Sequence, residues 1–119
     1  MSKVLITGAD GFTGRYLAKE LSSAGHEVHG LVHMPMPEGV EGVAQLHVAN
    51  LCDLPALSAV VQAVQPEKVA HLAAIAFVAH GDVSAIYNTN LVGTRNLLES
   101  LVLSKSPLSA VLLASSANI

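Results

Sequence analysis

Three glycines near the start of the chain have the spacing of a phosphate-binding turn. Gly8, Gly11 and Gly14 follow the apolar residues 4–6, which have the character of a buried strand. Gly8 would permit a tight turn out of that strand, Gly11 would let the backbone approach a pyrophosphate, and Gly14 would let the next helix lie close to the sheet. The N–H groups at the helix start would face an anion at the positive end of the helix dipole. The pattern favours dinucleotide binding over its alternative, an ordinary strand–turn–helix corner.

The elements that must position this turn alternate along the chain. Apolar runs predict strands at residues 3–8, 27–32, 44–49, 68–73 and 110–115. Amphipathic stretches predict helices at residues 11–24, 54–64 and 83–104. Asp53 is the expected N-cap of the second helix, and Phe12 is expected at an apolar position of the first.

Strands that alternate with helices form a parallel sheet through right-handed crossovers. We therefore expect one α/β domain over residues 1–119, with a Rossmann-type doubly wound parallel sheet of about five strands in the order 3-2-1-4-5. The ligand cleft would lie at the carboxyl ends of strands one and four. The fifth strand is apolar and has no partner for its outer edge in the chain, so we expect the natural protein to continue beyond Ile119.

The composition argues against several classes of function. The residues are 51% hydrophobic and 13% charged, which suits a sheet covered on both faces. A net charge of −3 with scattered basic residues argues against nucleic-acid binding. No apolar stretch approaches the ~18–20 residues of a membrane span, and no signal-peptide pattern is present, so we expect a cytoplasmic protein. The single cysteine, Cys52, excludes an internal disulfide and is interpreted as a packing residue.

The histidines do not have the spacing of metal ligands. Four of them lie on separate predicted elements and are interpreted as structural or exposed, namely His26, His29, His47 and His80. His71 is interpreted as a packed strand residue. No metal site is predicted from this pattern.

Four segments together resemble one enzyme family. Residues 7–14 resemble the TGAxGFxG turn of extended short-chain dehydrogenases/reductases, and residues 71–74 resemble their HLAA segment. Residues 88–94 resemble their NxxGT stretch, and residues 114–119 resemble the start of their SSxxxYG segment. The resemblance covers nearly the whole chain and points to the NAD(P)-dependent epimerase/dehydratase group, most of whose members act on nucleotide-linked sugars. The stretch at 27–31 is most similar to GDP-mannose 4,6-dehydratases and 4-keto-6-deoxyhexose reductases.

The resemblance implies that NADP or NAD contacts the glycine turn and the ends of neighbouring strands. The residues so implied are Gly8, Asp10, Gly11, Phe12, Thr13, Gly14, His33, Asn50, Leu51, Ala73, Ala74 and Asn90. Ala73 and Ala74 would line the cofactor beside the ribose on the nicotinamide side. Asn90 would brace the backbone of the active site.

Two positions depart from the family pattern. Asn50 precedes Leu51 where the family usually has an acidic residue that contacts adenine, although an amide can still accept a hydrogen bond from the adenine amino group. After the second strand, Val32-His33-Met34 contains neither the acid that favours NAD nor an arginine that would hold a 2′-phosphate. We predict a preference for NADP(H) over NAD(H). His33 either adds partial positive charge near that phosphate or is a solvated loop histidine.

The resemblance also implies substrate and catalytic positions. Phe77 and Val78 would lie near the substrate mouth, and Ser116 matches the catalytic Ser/Thr that hydrogen-bonds the reacting sugar oxygen. The alternative for Ser116 is a polar residue at a strand end. The Tyr-x-x-x-Lys pair of the family is missing, because neither Tyr16 nor Tyr87 is followed by lysine at that spacing. We therefore expect these residues alone to bind part of a dinucleotide without catalysis.

Three functions remain open from the sequence. The leading one is the cofactor-binding part of a longer enzyme that carries out NAD(P)-dependent oxidoreduction, epimerisation or dehydration of a nucleotide-linked sugar. The others are a non-catalytic NAD(P)-binding regulator and a structural subunit with a degenerate site. In the family, the helix predicted at 83–104 commonly forms half of a dimer interface, which implies a homodimer for the complete protein.

Overall fold

Strands and helices alternate along the chain as predicted. The computed structural model describes residues 2–72 and 83–113, with residues 83–90 described by their backbone alone. The elements in chain order are β1 (Lys3–Thr7), α1 (Phe12–Ser23), β2 (Glu27–Val32), β3 (Gln45–Val48), α2 (Leu54–Val64), β4 (Lys68–His71), α3 (Val83–Leu103) and β5 (Ala110–Leu113).

The strands form one parallel sheet in the order β3-β2-β1-β4-β5. This confirms the predicted Rossmann-type class and strand order. β1 lies at the centre, between β2 and β4. Because the chain runs from β1 towards β2 and later returns to β4 on the other side, the connections diverge at the carboxyl ends of β1 and β4. Sheets of this kind bind ligands at such a divergence.

Each face of the sheet has its own apolar core, because successive strand residues point to opposite sides. On one face, Ile6 packs in the same cluster as Ala18 of α1. On the other face, Leu5 packs with Leu57 of α2 and Leu97 of α3. All five residues are fully buried. The strand that leads into the glycine turn is therefore anchored from both sides.

The ends of α2 are those that the sequence predicts. The Asp53 carboxylate accepts a hydrogen bond from the backbone N–H of Ala56 at 3.2 Å, and Pro55 lies in the first turn. Capping of this kind stabilises a helix by ~1 kcal/mol. The helix ends at Val64, and Gln65 follows in the left-handed conformation with φ of 50°.

The structure differs from the predictions at the strand ends. β3 is shorter at both ends than the predicted 44–49, and β4 ends at His71. The described part of β5 ends at Leu113, and the remainder of its predicted range lies outside the described residues. The last residues of a parallel strand lie where the chain turns into a loop, so the apolar pattern alone does not locate the final ladder hydrogen bond.

Phe12 does not contribute to the core as the helical spacing suggested. Its side chain is 91% exposed. The buried residues of α1 are Gly14 and Ala18, four positions apart on one side of the helix. Phe12 precedes Gly14 by two residues, which places it about 200° around the helix axis and hence towards solvent.

The outer edge of β5 has no neighbouring strand among the described residues. Leu112 and Leu113 are 57% and 48% exposed there. No helix in the described ranges 2–72 and 83–113 is long and apolar enough to cross a membrane.

Candidate functional site

The glycine turn leaves β1 at the centre of the carboxyl edge of the sheet. Gly8 has φ of 71°, a conformation that residues with a Cβ atom rarely adopt. Its N–H donates to the Leu31 carbonyl oxygen at 3.0 Å, which extends the β1–β2 ladder into the turn. The Gly11 N–H donates to the Gly8 carbonyl oxygen at 3.1 Å and closes the turn. The first predicted role, a tight turn at Gly8, is confirmed.

Gly14 provides the close approach between α1 and the turn. A Cβ atom at this position would overlap the Gly8 carbonyl oxygen and would lie 2.9 Å from the Cα atom of Ala9. Both neighbours are backbone atoms, which cannot rotate away as a side chain can. The packing role predicted for Gly14 is therefore confirmed, and it draws the start of α1 over the end of β1.

Gly11 differs from the other two glycines. Its backbone is extended, with φ of −76° and ψ of 169°, a conformation open to any residue. An added Cβ would find one described heavy atom within 4 Å, the Gly8 carbonyl oxygen at 3.4 Å. Neither conformation nor internal packing requires glycine here. Apart from its chain neighbours, no described side-chain atom lies within 4 Å of that added Cβ, and the predicted approach of a phosphate to Gly11 stays a prediction.

The start of α1 can receive an anion. Gly11 is the N-cap and supplies no side-chain hydrogen bond, and the first turn contains no acidic residue. The first N–H groups of a helix have no partner within the helix, so those of Phe12 and Thr13 are directed out of its end. Arg15 donates from Nε to the Asp10 carbonyl oxygen at 2.8 Å, which steadies the turn through the Asp10 backbone.

His33 follows β2 on the same edge of the sheet. β2 pairs with β1 up to Leu31, opposite Thr7, so the residues after Val32 lie beside the glycine turn. The His33 side chain is exposed. Both alternatives for His33, a contact with a 2′-phosphate and a solvated loop residue, therefore stay predictions.

Asn50 and Leu51 follow β3 on this edge, and they point in different directions. Asn50 is exposed, and its Oδ1 accepts a hydrogen bond from the Cys52 N–H at 2.9 Å. Leu51 is half-buried and packs with the core on the α2–α3 face. A Cβ atom at Gly93 would lie 3.1 Å from that of Leu51, so the glycine within α3 makes room for this leucine. The Leu51 side chain thus contacts the backbone of α3 closely at Gly93.

A buried hydrogen-bonded bridge, which the sequence analysis did not identify, lies beneath the turn. Thr7 and His71 are the last residues of β1 and β4 and are paired in register. The Thr7 Oγ1 atom lies 2.6 Å from His71 Nδ1 and accepts the Leu72 N–H at 3.0 Å. His71 Nε2 lies 2.9 Å from Thr94 Oγ1 on α3. Hydroxyl groups both donate and accept, so a neutral imidazole satisfies both contacts.

Burial lowers the pKa of His71 below its ordinary value, which keeps the ring neutral at pH 7. His71 is 2% exposed and Thr7 is fully buried. The bridge therefore joins β1, β4 and α3 immediately below Gly8. The prediction of a packed strand residue is confirmed, and its polar partners are the new finding.

Several predicted site residues lie outside the described residues. They are Ala73, Ala74, Phe77, Val78 and Ser116. The backbone of Asn90 lies within α3, but its side chain is outside the description. The predicted roles of these six residues stay predictions.

A model of the NAD-dependent epimerase/dehydratase family matches residues 4–119. The chain belongs to this family. The match confirms the resemblance drawn from the four sequence segments. The glycine turn, the HLAA segment and the NxxGT stretch all fall inside the matched range.

Relatives of this epimerase/dehydratase chain are longer than the chain itself. A GDP-mannose 4,6-dehydratase from Vibrio cholerae is 34% identical over 114 residues, which cover 83% of this chain and 31% of that protein. The crystal structure of a candidate epimerase from Burkholderia cenocepacia J2315 is 41% identical with a TM-score of 0.83, covering 99% of this chain and 38% of that one. The chain thus spans about a third of the length of these relatives.

A more distant structure supports the fold of the epimerase/dehydratase chain. UDP-glucose 4-epimerase from Bifidobacterium longum, in complex with NAD⁺ and UDP, is 21% identical with a TM-score of 0.77. The match covers 98% of this chain and 37% of that one. At this identity the likeness is one of fold.

Histidines that the sequence analysis treated as separate come together on another part of the sheet. His29 of β2 and His47 of β3 have ring nitrogens 3.1 Å apart. Their positions, two residues out of register across a parallel pair and therefore on the same face, could be found only once the register of β3 was known. Among the described residues, no group of three or more His, Cys, Asp or Glu side chains is arranged to hold a metal ion.

Proposed function

We propose that this chain binds the pyrophosphate of NAD(P) between the glycine turn and the start of α1. The observation that carries the proposal is the difference between two glycines: Gly14 is required by internal packing, while Gly11 is required by nothing described within the protein. A position kept free of side-chain atoms beside an uncapped helix start suits a ligand that approaches the backbone.

The residues of the turn fit a dinucleotide by their chemistry. The N–H groups of Phe12 and Thr13 would donate to phosphate oxygens, and no acidic side chain in the first turn would repel them. Asn50, which follows β3 on the same edge, would contact the adenine through its side-chain amide. The Oδ1 atom of that amide also accepts the Cys52 N–H. The His71 bridge would hold β4 and α3 in place beneath the cofactor.

We further propose that the complete protein acts on a nucleotide-linked sugar. The support is family membership, together with the relative that is a GDP-mannose 4,6-dehydratase. The bound nicotinamide would accept and return hydride. Ser116 would donate a hydrogen bond to the sugar oxygen at the reacting carbon, and Phe77 and Val78 would border the substrate mouth.

The cofactor form is proposed to be NADP(H). His33 lies exposed beside the turn, and neither Val32 nor Met34 supplies a carboxylate that would repel a 2′-phosphate. Calorimetric titration with NADPH and with NADH tests both the dinucleotide site and the preference for NADP(H). Binding of either supports the dinucleotide site, and tighter binding of NADPH supports the preference. Lack of binding by both would overturn the proposed function.

A homodimer of the complete protein is proposed through α3. Three apolar residues spaced seven and four apart lie on one side of this helix and are exposed: Leu91 at 57%, Leu98 at 39% and Val102 at 77%. Exposed apolar residues that share a helix face are typical of protein–protein contacts, although the exposed Arg95 lies between Leu91 and Leu98 on this face. The expected partner is the same stripe on a second copy.

A further inference from the structure

The loop over residues 50–53 connects β3 to α2 and is held at both of its ends. The Ala49 N–H donates to the Val32 carbonyl oxygen at 3.0 Å, which continues the β2–β3 ladder up to the loop. The Asp53 N–H donates to the Asn50 carbonyl oxygen at 2.9 Å, and the Asp53 carboxylate caps α2. Asn50, the residue proposed to contact adenine, therefore begins a turn whose backbone path is fixed on both sides.

The middle of this loop is held by α3. Asn96 Nδ2 donates to the Leu51 carbonyl oxygen at 2.9 Å. The Leu51 side chain lies against α3 at Gly93, where an added Cβ atom would be 3.1 Å from the Leu51 Cβ atom. Gly93 and Asn96 are three residues apart and so share one side of the helix. Two contacts of different kinds, one apolar and one polar, thus fix Leu51 relative to α3.

The peptide group between Leu51 and Cys52 connects the Asn96 contact to Asn50. Its carbonyl oxygen accepts from Asn96, and its N–H, which belongs to Cys52, donates to Asn50 Oδ1 at 2.9 Å. A peptide group is planar, so its carbonyl oxygen and its N–H cannot be reoriented separately. A backbone carbonyl oxygen can only accept and a backbone N–H can only donate, so the orientations of both side-chain amides are determined as well. The hydrogen bond from Asn96 therefore fixes the peptide plane that holds the Asn50 side chain.

The orientation of the Asn50 amide determines which base it can recognise. A side-chain amide has a donor on one side and an acceptor on the other, and half a turn about its last bond exchanges them. Adenine presents an amino donor beside a ring nitrogen that accepts, whereas hypoxanthine presents a carbonyl acceptor beside a ring N–H that donates. An amide that rotates suits both bases. An amide that the Cys52 N–H holds in one orientation suits only one of them.

We propose that Asn96 is a positioning residue that makes the cofactor site selective for adenine. It acts on Asn50 through the Leu51–Cys52 peptide rather than on the cofactor directly. With the peptide plane held, the Asn50 amide keeps one orientation, in which the second lone pair of Oδ1 accepts from the adenine amino group. Without the Asn96 amide, the peptide plane and the Asn50 amide rotate, and the selectivity is lost while the glycine turn still binds pyrophosphate. The inference rests on the dinucleotide site proposed above.

Calorimetric titration with NADPH and with its deaminated analogue, reduced nicotinamide hypoxanthine dinucleotide phosphate, tests this role. The two compounds differ only in the base, so the ratio of their affinities measures the selectivity for adenine. We expect the unaltered protein to bind NADPH about fivefold more tightly, a difference in the range of one hydrogen bond. Asn96→Ala removes the amide, and Asn96→Asp keeps its shape but can only accept. Both variants should bring the two affinities close to equality.

Ser58→Ala is the matched control for a general loss of stability. Ser58 Oγ lies 3.2 Å from Ser100 Oγ, so this variant also removes a side-chain hydrogen bond between α2 and α3, but it leaves the loop over residues 50–53 unaltered. It should keep the ratio of affinities. Asn50→Ala changes an exposed residue and should remove the preference for NADPH. Adding Asn96→Asp to Asn50→Ala should then leave the ratio unchanged, because both residues act through one hydrogen-bonded path.

Four outcomes would overturn the role of Asn96 and leave the dinucleotide site standing, because NADPH still binds in each. The unaltered protein binds both compounds equally, the two Asn96 variants keep its preference, Ser58→Ala lowers the preference as much as they do, or Asn96→Asp alters the ratio further in the Asn50→Ala protein. If the unaltered protein binds neither compound, the proposed function fails, and this inference fails with it.

Discussion

Gly14 stands directly against the carbonyl oxygen of Gly8, so the first buried residue of α1 and the first residue after β1 are in backbone contact. Gly11 lies between them in the chain, and an added Cβ there would meet the Gly8 carbonyl oxygen at 3.4 Å and, apart from the chain neighbours, no other described heavy atom within 4 Å. Glycine thus serves packing at position 14, whereas at position 11 the proposed reason is space for a ligand. Substituting each glycine in turn therefore distinguishes an effect on folding from an effect on ligand binding.

Gly14→Ala should destabilise the fold. The methyl group would meet backbone atoms of Gly8 and Ala9 that can move only with the strand and the turn. Overpacking of this kind costs ~3 kcal/mol, against a gain of about 1 kcal/mol in helix propensity. Urea denaturation should therefore show a lower free energy of unfolding, and dinucleotide binding should be lost with the turn. Unchanged stability would mean that the helix can shift away at no cost.

Gly11→Ala should leave the fold intact and weaken the ligand. The residue adopts an extended conformation that alanine tolerates, and exchanging glycine for alanine at an N-cap costs less than about 1 kcal/mol. The added methyl group would occupy the space proposed for the pyrophosphate. We expect at least tenfold weaker binding of NADPH by calorimetry, with a melting temperature close to that of the unaltered protein. Equal affinity would place the phosphate elsewhere.

Much of this arrangement could be predicted from the sequence because it depends on local signals. The glycine spacing and the Asp53 cap each involve neighbouring residues, and the alternation of strands and helices along the chain predicts a parallel sheet. The exposure of Phe12 was predicted wrongly, since the buried face of α1 is set by Gly14, a residue without a side chain. The spacing of apolar side chains does not reveal a close backbone contact that depends on a residue having no side chain.

The two polar contacts, Thr7 with His71 and His29 with His47, could not be predicted from the sequence, and here the reason is strand register. The contact between Thr7 and His71 requires the last residues of β1 and β4 to be in register, and that between His29 and His47 requires the register of β3. Register depends on the turns and helices that connect the strands, and the two contacts span 64 and 18 residues of the chain, respectively. A one-residue slip would move each side chain to the opposite face.

His33→Asp should reverse the proposed cofactor preference. A carboxylate after β2 would repel a 2′-phosphate and could accept a hydrogen bond from the ribose 2′-hydroxyl. We expect the affinity for NADPH to fall by at least tenfold relative to NADH, measured by fluorescence titration. His33→Gln, which removes the ring without adding charge, is the control and should have a smaller effect. If both variants retain the original ratio of affinities, His33 is a solvated loop residue.

Val102→Asp should disrupt the proposed dimer of the complete protein. Val102 is the most exposed residue of the apolar stripe on α3, so a charge there is harmless in a monomer and costly in an apolar contact. Light scattering should show a shift from dimer to monomer at micromolar concentration. Tyr16→Asp on α1, a site exposed to 64%, should leave the mass unchanged. A dimer that survives Val102→Asp would exclude the stripe as the interface.

The His71 bridge should make stability depend on pH in a defined direction. Burial lowers the pKa of His71 in the folded state below the unfolded value of about 6.5, so folding favours the neutral ring. Its contribution is fully present above pH 6.5 and is lost as the pH falls from there through the lower folded pKa, because the unfolded state binds the proton first. Lowered pKa values of His47 and Glu27 act in the same direction, the latter only below about pH 4.5.

Denaturation curves at pH 7.5, 6.5 and 5.5 for the unaltered protein and for His71→Asn measure this contribution. Asparagine can keep a hydrogen bond to Thr7 but has no group that titrates, so the fall in stability between pH 7.5 and 5.5 should be smaller in the variant. Thr94→Val keeps the histidine but removes the Nε2 partner, and should lower stability at pH 7.5 while retaining a pH dependence. Identical pH profiles for His71→Asn and the unaltered protein would show that His71 is not the group protonated in this range.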